Sequence, residues 1–158
     1  MIISNDHKRA QRGQSLVELA LTLTLILTLL AGTVDLGSAF FSYVALRDAA
    51  QEGALYGSIA PIIDTNNNGK YDTGEPLNTT AIVSRVRSAS STPVDLSDVS
   101  KVTVSVTTST TPCSGGWITV SVSYNYQLAM PLIGSIIGRQ TIPLSASTID
   151  TILIPSCP

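Results

Sequence analysis

The sequence predicts an α+β protein in which a long N-terminal, partly transmembrane α-helix is followed by a small antiparallel β-sheet domain. Residues 19–34 carry no charge and lie within a longer apolar run. From residue 102 onward, Val, Ile and Tyr alternate with Ser and Thr, which is typical of half-buried strands. The 158 residues suffice for one modest domain beside a membrane segment. With net charge −2 and 13% charged residues, the composition argues against nucleic-acid binding.

The apolar run over residues 16–36 predicts a transmembrane helix, because a bilayer core needs about 20 helical residues. Lys8, Arg9 and Arg12 precede the run. Positive residues stay on the cytoplasmic side, so we expect a cytoplasmic N-terminus and an extracytoplasmic C-terminal domain in the cytoplasmic membrane. A cleaved secretory signal has a shorter apolar region of roughly 7–15 residues, which makes it the weaker interpretation.

Glu18 is the one acid near the start of this run. An ionised carboxylate in hydrocarbon costs roughly 2–3 kcal/mol or more, so Glu18 needs either a partner or a path to the membrane interface. Cleavage after Gly13 would make Gln14 the first residue and Glu18 the fifth. The new α-amine of a neighbouring chain would then be a candidate partner for this carboxylate.

Small residues recur at every fourth position in two stripes. The first comprises Ala20, Thr24, Thr28 and Gly32, and the second comprises Ala45, Ala49, Gly53 and Gly57. Such stripes let helices approach closely. The first favours helix–helix packing or arises by chance in an Ala-, Gly- and Thr-rich segment, and the second is expected to pack against the protein's own sheet.

The segment over residues 12–57 resembles TadE-like minor pilins of the tight-adherence (Flp pilus) secretion system. Its start, Arg12-Gly13 followed by Glu18 and an apolar helix, resembles a prepilin processing site, or class III signal peptide. The other matching residues are Gln14, Leu16, Val17, Gly32, Asp35, Leu36, Gly37, Ala49, Ala50, Glu52, Gly53, Ala54 and Tyr56.

This resemblance implies a pilin-like fold and cleavage between Gly13 and Gln14 by a membrane-embedded prepilin peptidase. It further implies that Glu18 pairs with the N-terminal amine of an adjacent subunit. The implied partners are the membrane, the prepilin peptidase, other pilin subunits and the pilus assembly machinery, with a surface pilus as a further location. The predicted division is a leader (1–13), a long helix (14–58) and an extracytoplasmic α+β domain (59–158).

Residues 64–75, DTNNNGKYDTGE, fit the spacing of a calcium-binding loop. Calcium takes six to eight oxygen ligands, and the loop offers alternating oxygen donors. Tyr71 occupies a position that usually faces a core. The predicted ligands are the side chains of Asp64, Asn66, Asn68, Asp72 and Glu75 and the backbone carbonyl of Lys70. The alternative is a polar Asn/Gly turn without metal. Because no helix pair obviously flanks the loop, a structural clamp is favoured over a sensor.

The outer domain begins with a predicted helix over residues 79–90, capped by Asn78, and a linker over 90–100. Three alternating segments then predict a three- or four-stranded antiparallel meander with one face on the long helix. A meander returns the end of its third strand to the start of its second, which brings Cys157 near Cys113. These cysteines are expected to form a disulfide outside the cytoplasm, the alternative being two unrelated buried thiols.

The connection over residues 128–138, LAMPLIGSIIG, is unusually apolar. It either tucks under the sheet or exposes apolar side chains to a partner or the membrane, and the sequence favours neither. The side chains concerned are Leu132, Ile133, Ile136 and Ile137.

The sequence lacks the residue combinations of a catalytic site. Its one histidine, His7, lies in the leader, and neither a phosphate-binding loop nor zinc-ligand spacing occurs. We therefore expect a non-enzymatic minor pilin or pseudopilin, trimmed after Gly13. The alternative is an uncleaved, single-pass, signal-anchored protein with a calcium-stabilised binding or adhesion module.

Overall fold

The computed structural model describes residues 6–157, with side chains from residue 13 onward except those of Pro131, Leu132 and Ile136. The basic side chains of Lys8, Arg9 and Arg12, on which the predicted orientation depends, lie outside this part, as does that of His7. The elements are α1 (Asp6–Ile59), α2 (Thr79–Ser88), β1 (Val102–Thr108), β2 (Trp117–Gln127), α3 (Pro131–Ile137) and β3 (Thr141–Thr151).

Helix α1 is one unbroken helix of 54 residues. Its portion from Gly13 to Ile59 is long and apolar enough to cross a membrane, and its leucines between residues 16 and 30 are exposed. A contiguous exposed apolar surface of this size marks contact with lipid or with other helices. The helix runs through Gly13 without a break, so the predicted boundary at residue 13 does not coincide with a boundary of secondary structure.

The sheet is a three-stranded antiparallel meander of order β1-β2-β3, as the alternating pattern predicts. Val104 pairs with Val122, and Val122 pairs with Ala146 on its other side. At the far end of the sheet, Trp117 opens β2 opposite Thr151, which closes β3. This register places the two chain segments that carry the cysteines beside each other.

The C-terminal half of α1 packs against the sheet and α2. The core residues from α1 are Leu46, Ala49, Ala50 and Ala54, and those facing them include Ile82, Val86, Ile118, Val120 and Val122. A Cβ atom at Gly53 would collide with Val86, and one at Gly57 would collide with Ile118. The second small-residue stripe thus packs against the protein's own domain, as expected, because only small residues let helix and sheet approach this closely.

The course of β2 defines two ends of the domain. Ile118 lies against Gly57 and Val120 against Gly53, so β2 runs antiparallel to α1. The β2–β3 connection, which contains α3, therefore returns to the middle of α1 beside its membrane segment. The disulfide and the loop after α1 lie at the opposite end of the domain.

The segment around α2 differs from the prediction in three respects. The helix ends at Ser88 rather than at residue 90, and the Asn78 side chain makes no capping bond. Instead, Asn78 Nδ2 donates to the Ala60 carbonyl (3.4 Å), because the chain entering α2 lies against the end of α1. Residues 90–100 are not a free linker, since Val94 and Leu96 are buried.

Candidate functional site

The predicted processing residues lie on the exposed first turns of α1. Gly13, Gln14 and Glu18 are all exposed, and with Val17 and Leu21 they line one shallow depression on the helix surface. Residues four apart share a helix face, so Glu18 lies one turn beyond Gln14 on the same side. Within the described residues, the Glu18 carboxylate has no hydrogen-bonding partner. The chain thus presents this acid together with the predicted scissile bond.

The first small-residue stripe continues along the exposed part of α1. Thr24 Oγ1 donates to the Ala20 carbonyl and Thr28 Oγ1 donates to the Thr24 carbonyl, each at 2.8 Å. Because the helix itself satisfies these hydroxyls, the stripe can lie against an apolar neighbour without leaving a polar group unpaired. Gly32, at the end of the stripe, lies beside Ile133 of α3.

The predicted calcium loop is built from three consecutive side-chain-to-backbone turns. Asp64 Oδ2 accepts from the Gly69 amide (2.8 Å). Asn66 Oδ1 accepts from the Asn68 amide (3.1 Å), and Asn68 Oδ1 accepts from the Lys70 amide (2.7 Å). The Gly69 hydrogen bond lowers the pKa of Asp64, so this carboxylate is ionised at neutral pH. The turns bend the loop back on itself around its acidic side chains.

Asp72 and Glu75 close the same loop from its other side. The amide groups of Asn66 and Asn68 both donate to Asp72 Oδ2, each at 2.7 Å. Glu75 Oε1 accepts from the Thr65 amide (3.1 Å), and its Oε2 accepts from the Asp72 amide (3.0 Å). All five predicted ligand side chains therefore belong to one hydrogen-bonded network.

The donor chemistry of the loop fits a hard cation. Three carboxylates, two side-chain amides and one backbone carbonyl supply only oxygen ligands of the kind that calcium takes. Among the described residues, no three His, Cys, Asp or Glu side chains are gathered as metal ligands, so amide and backbone oxygens would have to complete the set. In this structure the amide nitrogens of Asn66 and Asn68 face Asp72. Rotating each amide by half a turn would place its oxygen, the atom that binds a cation, on the side of Asp72.

Backbone bonds attach the loop to the rest of the domain at two places. An antiparallel bridge between Ile62 and Leu77 closes its base. This bridge separates the loop from α1, which ends at Ile59, and from α2, which begins at Thr79. At its middle, Lys70 forms a parallel bridge with Ser156, and the Tyr71 amide donates to the Ser156 carbonyl (3.1 Å). The expectation that Tyr71 faces a core is wrong, because its side chain is half-exposed and lies outside the core cluster.

The predicted disulfide joins Cys113 to Cys157, with Cα atoms 5.2 Å apart. The tail before Cys157 is also held by backbone bonds, since the Ser114 amide donates to the Pro155 carbonyl (2.8 Å) and the Gly115 amide to that of Ile152 (2.9 Å). The tail that contacts the acidic loop is therefore itself attached to the sheet.

Asp35 is the buried acid whose role the sequence interpretation missed. It is only 2% exposed, and its two carboxylate oxygens accept from the amides of Ala129 (3.0 Å) and Met130 (3.1 Å). It thereby attaches the chain entering α3 to α1. An acid at the end of an apolar run was the available signal, but its partners are backbone amides 94 and 95 residues away, which a side-chain pattern does not reveal.

A comparison with protein families agrees with the resemblance noted in the sequence. The model of the TadE-like protein family matches residues 13–55, which begins at the predicted scissile glycine and covers most of α1. No curated protein and no solved structure was found to match the chain. TadE-like proteins are typically structural rather than enzymatic. Over residues 13–55 the chain is therefore similar to TadE-like proteins, and it combines this segment with an apolar helix long enough to cross a membrane and a small α+β domain.

Proposed function

We propose that this protein is a minor pilin or pseudopilin of the tight-adherence pilus, a structural subunit cut by a prepilin peptidase between Gly13 and Gln14. The carrying observation is that the TadE-like match coincides with α1, whose residues 13–27 are all exposed. A helix with this surface is suited to transfer from lipid to a bundle of similar helices.

Glu18 supports assembly through a charge pair. Its carboxylate is exposed on α1, one turn from the predicted new N-terminus. In an apolar surrounding, the α-amine of an adjacent subunit relieves the cost of that charge and sets the axial register between two helices. The part of the stripe from Ala20 to Thr28, which α3 leaves uncovered, lets the neighbouring helix approach closely.

The disulfide supports an extracytoplasmic location for the sheet domain, because disulfides persist in oxidising compartments. In this topology the basic residues before Gly13 face the cytoplasm, where positive charge is retained. Glu18 then lies near the cytoplasmic end of the membrane segment and the sheet domain lies outside.

We also propose that the loop over residues 64–75 binds one structural calcium ion. The ligands are the side chains of Asp64, Asn66, Asn68, Asp72 and Glu75 and the carbonyl of Lys70. The ion would cross-link a loop that already bonds to the chain end at Ser156. With three carboxylates, its Kd is expected at about 10⁻⁵–10⁻³ M. The weaker part of this range is that of calcium sites in extracellular modules.

The processing proposal is tested by co-expressing the full chain with a prepilin peptidase of a tight-adherence system and sequencing the product's N-terminus. We expect Gln14 as the first residue, and we expect Gly13→Ala to retain the leader. Glycine weakens a helix by about 1 kcal/mol relative to alanine, which favours the local unwinding that a protease needs.

Gly37→Ala is the matched control, because Gly37 lies on the same helix with no other described atom within 4 Å of an added Cβ. It should be cut like the wild type.

Glu18→Gln should be cut but fail to assemble with other pilin subunits in cross-linking. Retention of Met1 in the wild-type chain would overturn the pilin proposal and favour the uncleaved, signal-anchored binding module.

The calcium proposal is tested by thermal unfolding of the full chain in detergent, with calcium or with chelator. At about 100 times its Kd, a bound ion adds about 2.7 kcal/mol to the free energy of unfolding, a rise in Tm on the order of 10 °C for a domain of this size. Asp64→Ala should abolish the rise.

Asp95→Ala serves as the control, since Asp95 also accepts from nearby Ser97 in a surface turn but lies outside the loop. It should keep the calcium response. Equal melting curves with calcium and with chelator would mean that the loop is a turn without metal.

A further inference from the structure

The β2–β3 connection is held at the level of the membrane segment. Ile133 of α3 lies 3.7 Å from the position of a Cβ on Gly32, and Asp35 binds the two amides just before α3. Gly32 belongs to the uncharged run of α1. It lies three residues before Asp35, or about 4–5 Å farther toward the N-terminus along the axis.

The length of α1 places this contact at the edge of the bilayer core. Residues 16–34 rise about 28 Å as a helix, close to the ~30 Å of a hydrocarbon core. If those residues span the core, Asp35 lies at its boundary and α3 lies beside the last turn inside it. Asp35 tolerates this position because both of its oxygens are hydrogen-bonded and its side chain is buried in protein.

The described exposed side chains of the connection carry no charge, and Ser135 is the polar one among them. Residues 128–138 contain no ionisable side chain, and Met130 and Ile137 are 39% and 47% exposed. On α1, Leu36 and Phe40, which follow Asp35, are also exposed. Arg139, directly after the connection, is exposed as well, where it can reach a lipid phosphate with its guanidinium group.

We propose that α3 is a second membrane contact: it lies in the leaflet on the side of the sheet domain, with Met130 and Ile137 among the acyl chains and Arg139 at the phosphates. Because Ile133 of α3 lies beside Gly32 of the α1 membrane segment, one lipid environment covers both. A helix lying in the interface is buried by about 5–10 Å, which agrees with the level of Gly32.

This contact has a mechanical consequence for the domain. A single helix leaves a domain free to tilt about the point where it leaves the bilayer, whereas two contacts fix its orientation. Asp35 acts as a positioning residue, because it holds α3 against α1. The inference rests on α1 spanning the membrane, as the proposed function also requires, but not on processing or on calcium.

The test places a tryptophan on α3 and measures its quenching by brominated lipid. The variant Ile137→Trp is made in a Trp117→Phe background, so that the introduced residue is the only tryptophan. The full chain is reconstituted at one copy per nanodisc in plain or brominated phosphatidylcholine. We expect roughly twofold lower emission in brominated lipid. Because the position is shallow, bromine near the headgroup end of the acyl chain should quench more than bromine near its methyl end.

Ile149→Trp in the same background is the matched control. Ile149 is 70% exposed on β3 and pairs with Thr119 near the far end of the sheet, on the order of 30 Å along α1 from Asp35. Its emission should be equal in both lipids. The wild-type chain, whose Trp117 is 46% exposed at that same end, gives a second reference that needs no substitution.

Adding Asp35→Ala to the Ile137→Trp variant should remove most of the quenching, while circular dichroism and the disulfide stay as in the parent. Equal emission of the Ile137→Trp variant in plain and brominated lipid, at one copy per disc, would overturn the proposal. Carbonate extraction of the same chain from membranes reports separately whether α1 is anchored.

Discussion

Replacing both cysteines, Cys113→Ser with Cys157→Ser, is expected to lower the free energy of unfolding of the sheet domain by about 4 kcal/mol. The disulfide closes a loop of sequence separation 44. In the chain-entropy account, cross-linking restricts the unfolded chain by an amount that grows with the logarithm of loop length. The measurement is urea unfolding of the full chain in detergent, followed by the fluorescence of Trp117, which lies close to the disulfide.

Reduction supplies the control for this result. Reducing agent should lower the stability of the wild-type chain by the same amount and leave the double variant unchanged. A loss below about 1 kcal/mol would contradict the expectation. It would mean that the backbone bonds of Ser114 and Gly115 to the tail persist in the unfolded state, or that the tail undocks in the reduced native state.

Gly53→Val is expected to destabilise the domain by about 3 kcal/mol through overpacking. The first added carbon would collide with Val86 and lie 3.2 Å from Val120. Both neighbours are fully buried and β-branched, so neither can rotate away at low cost. The small gain in helix propensity over glycine does not offset this clash. The same unfolding measurement applies.

Gly37→Val is the matched control for Gly53→Val, because no other described atom lies within 4 Å of a Cβ at Gly37. Its effect should stay within about 1 kcal/mol. Combining Gly53→Val with Val86→Ala should recover part of the loss, since the second change makes room for the first. If Gly53→Val were as stable as Gly37→Val, the close packing of α1 on α2 and the sheet would be wrong.

Most elements of the domain were predictable because their signals are local. Alternation of apolar and polar residues predicts β1, β2 and β3, and a meander of such strands predicts the partner of Cys113. The second small-residue stripe predicts close packing of α1. In each case, neighbouring residues carry the pattern and the favoured partner is the nearest apolar surface in the chain.

Predictions that depended on a distant partner were less accurate. Tyr71 occupies a loop position that usually faces a core, but here its backbone pairs with Ser156 at the chain end and its side chain stays half-exposed. Asn78 has the residue type of a cap but bonds to Ala60. Val94 and Leu96 lie in a segment with linker composition and yet are buried.

The sequence by itself determined the α+β class, an apolar helix long enough to cross a membrane, the similarity to TadE-like proteins and the cysteine pair, because length, periodicity, spacing and residue identity along the chain specify them. Only the tertiary structure decided where the β2–β3 connection lies and what Asp35 does. An apolar segment is equally suited to a core and to lipid. A carboxylate in an apolar run is stable only if distant groups satisfy its oxygens, and here the fold brings the amides of Ala129 and Met130 to Asp35.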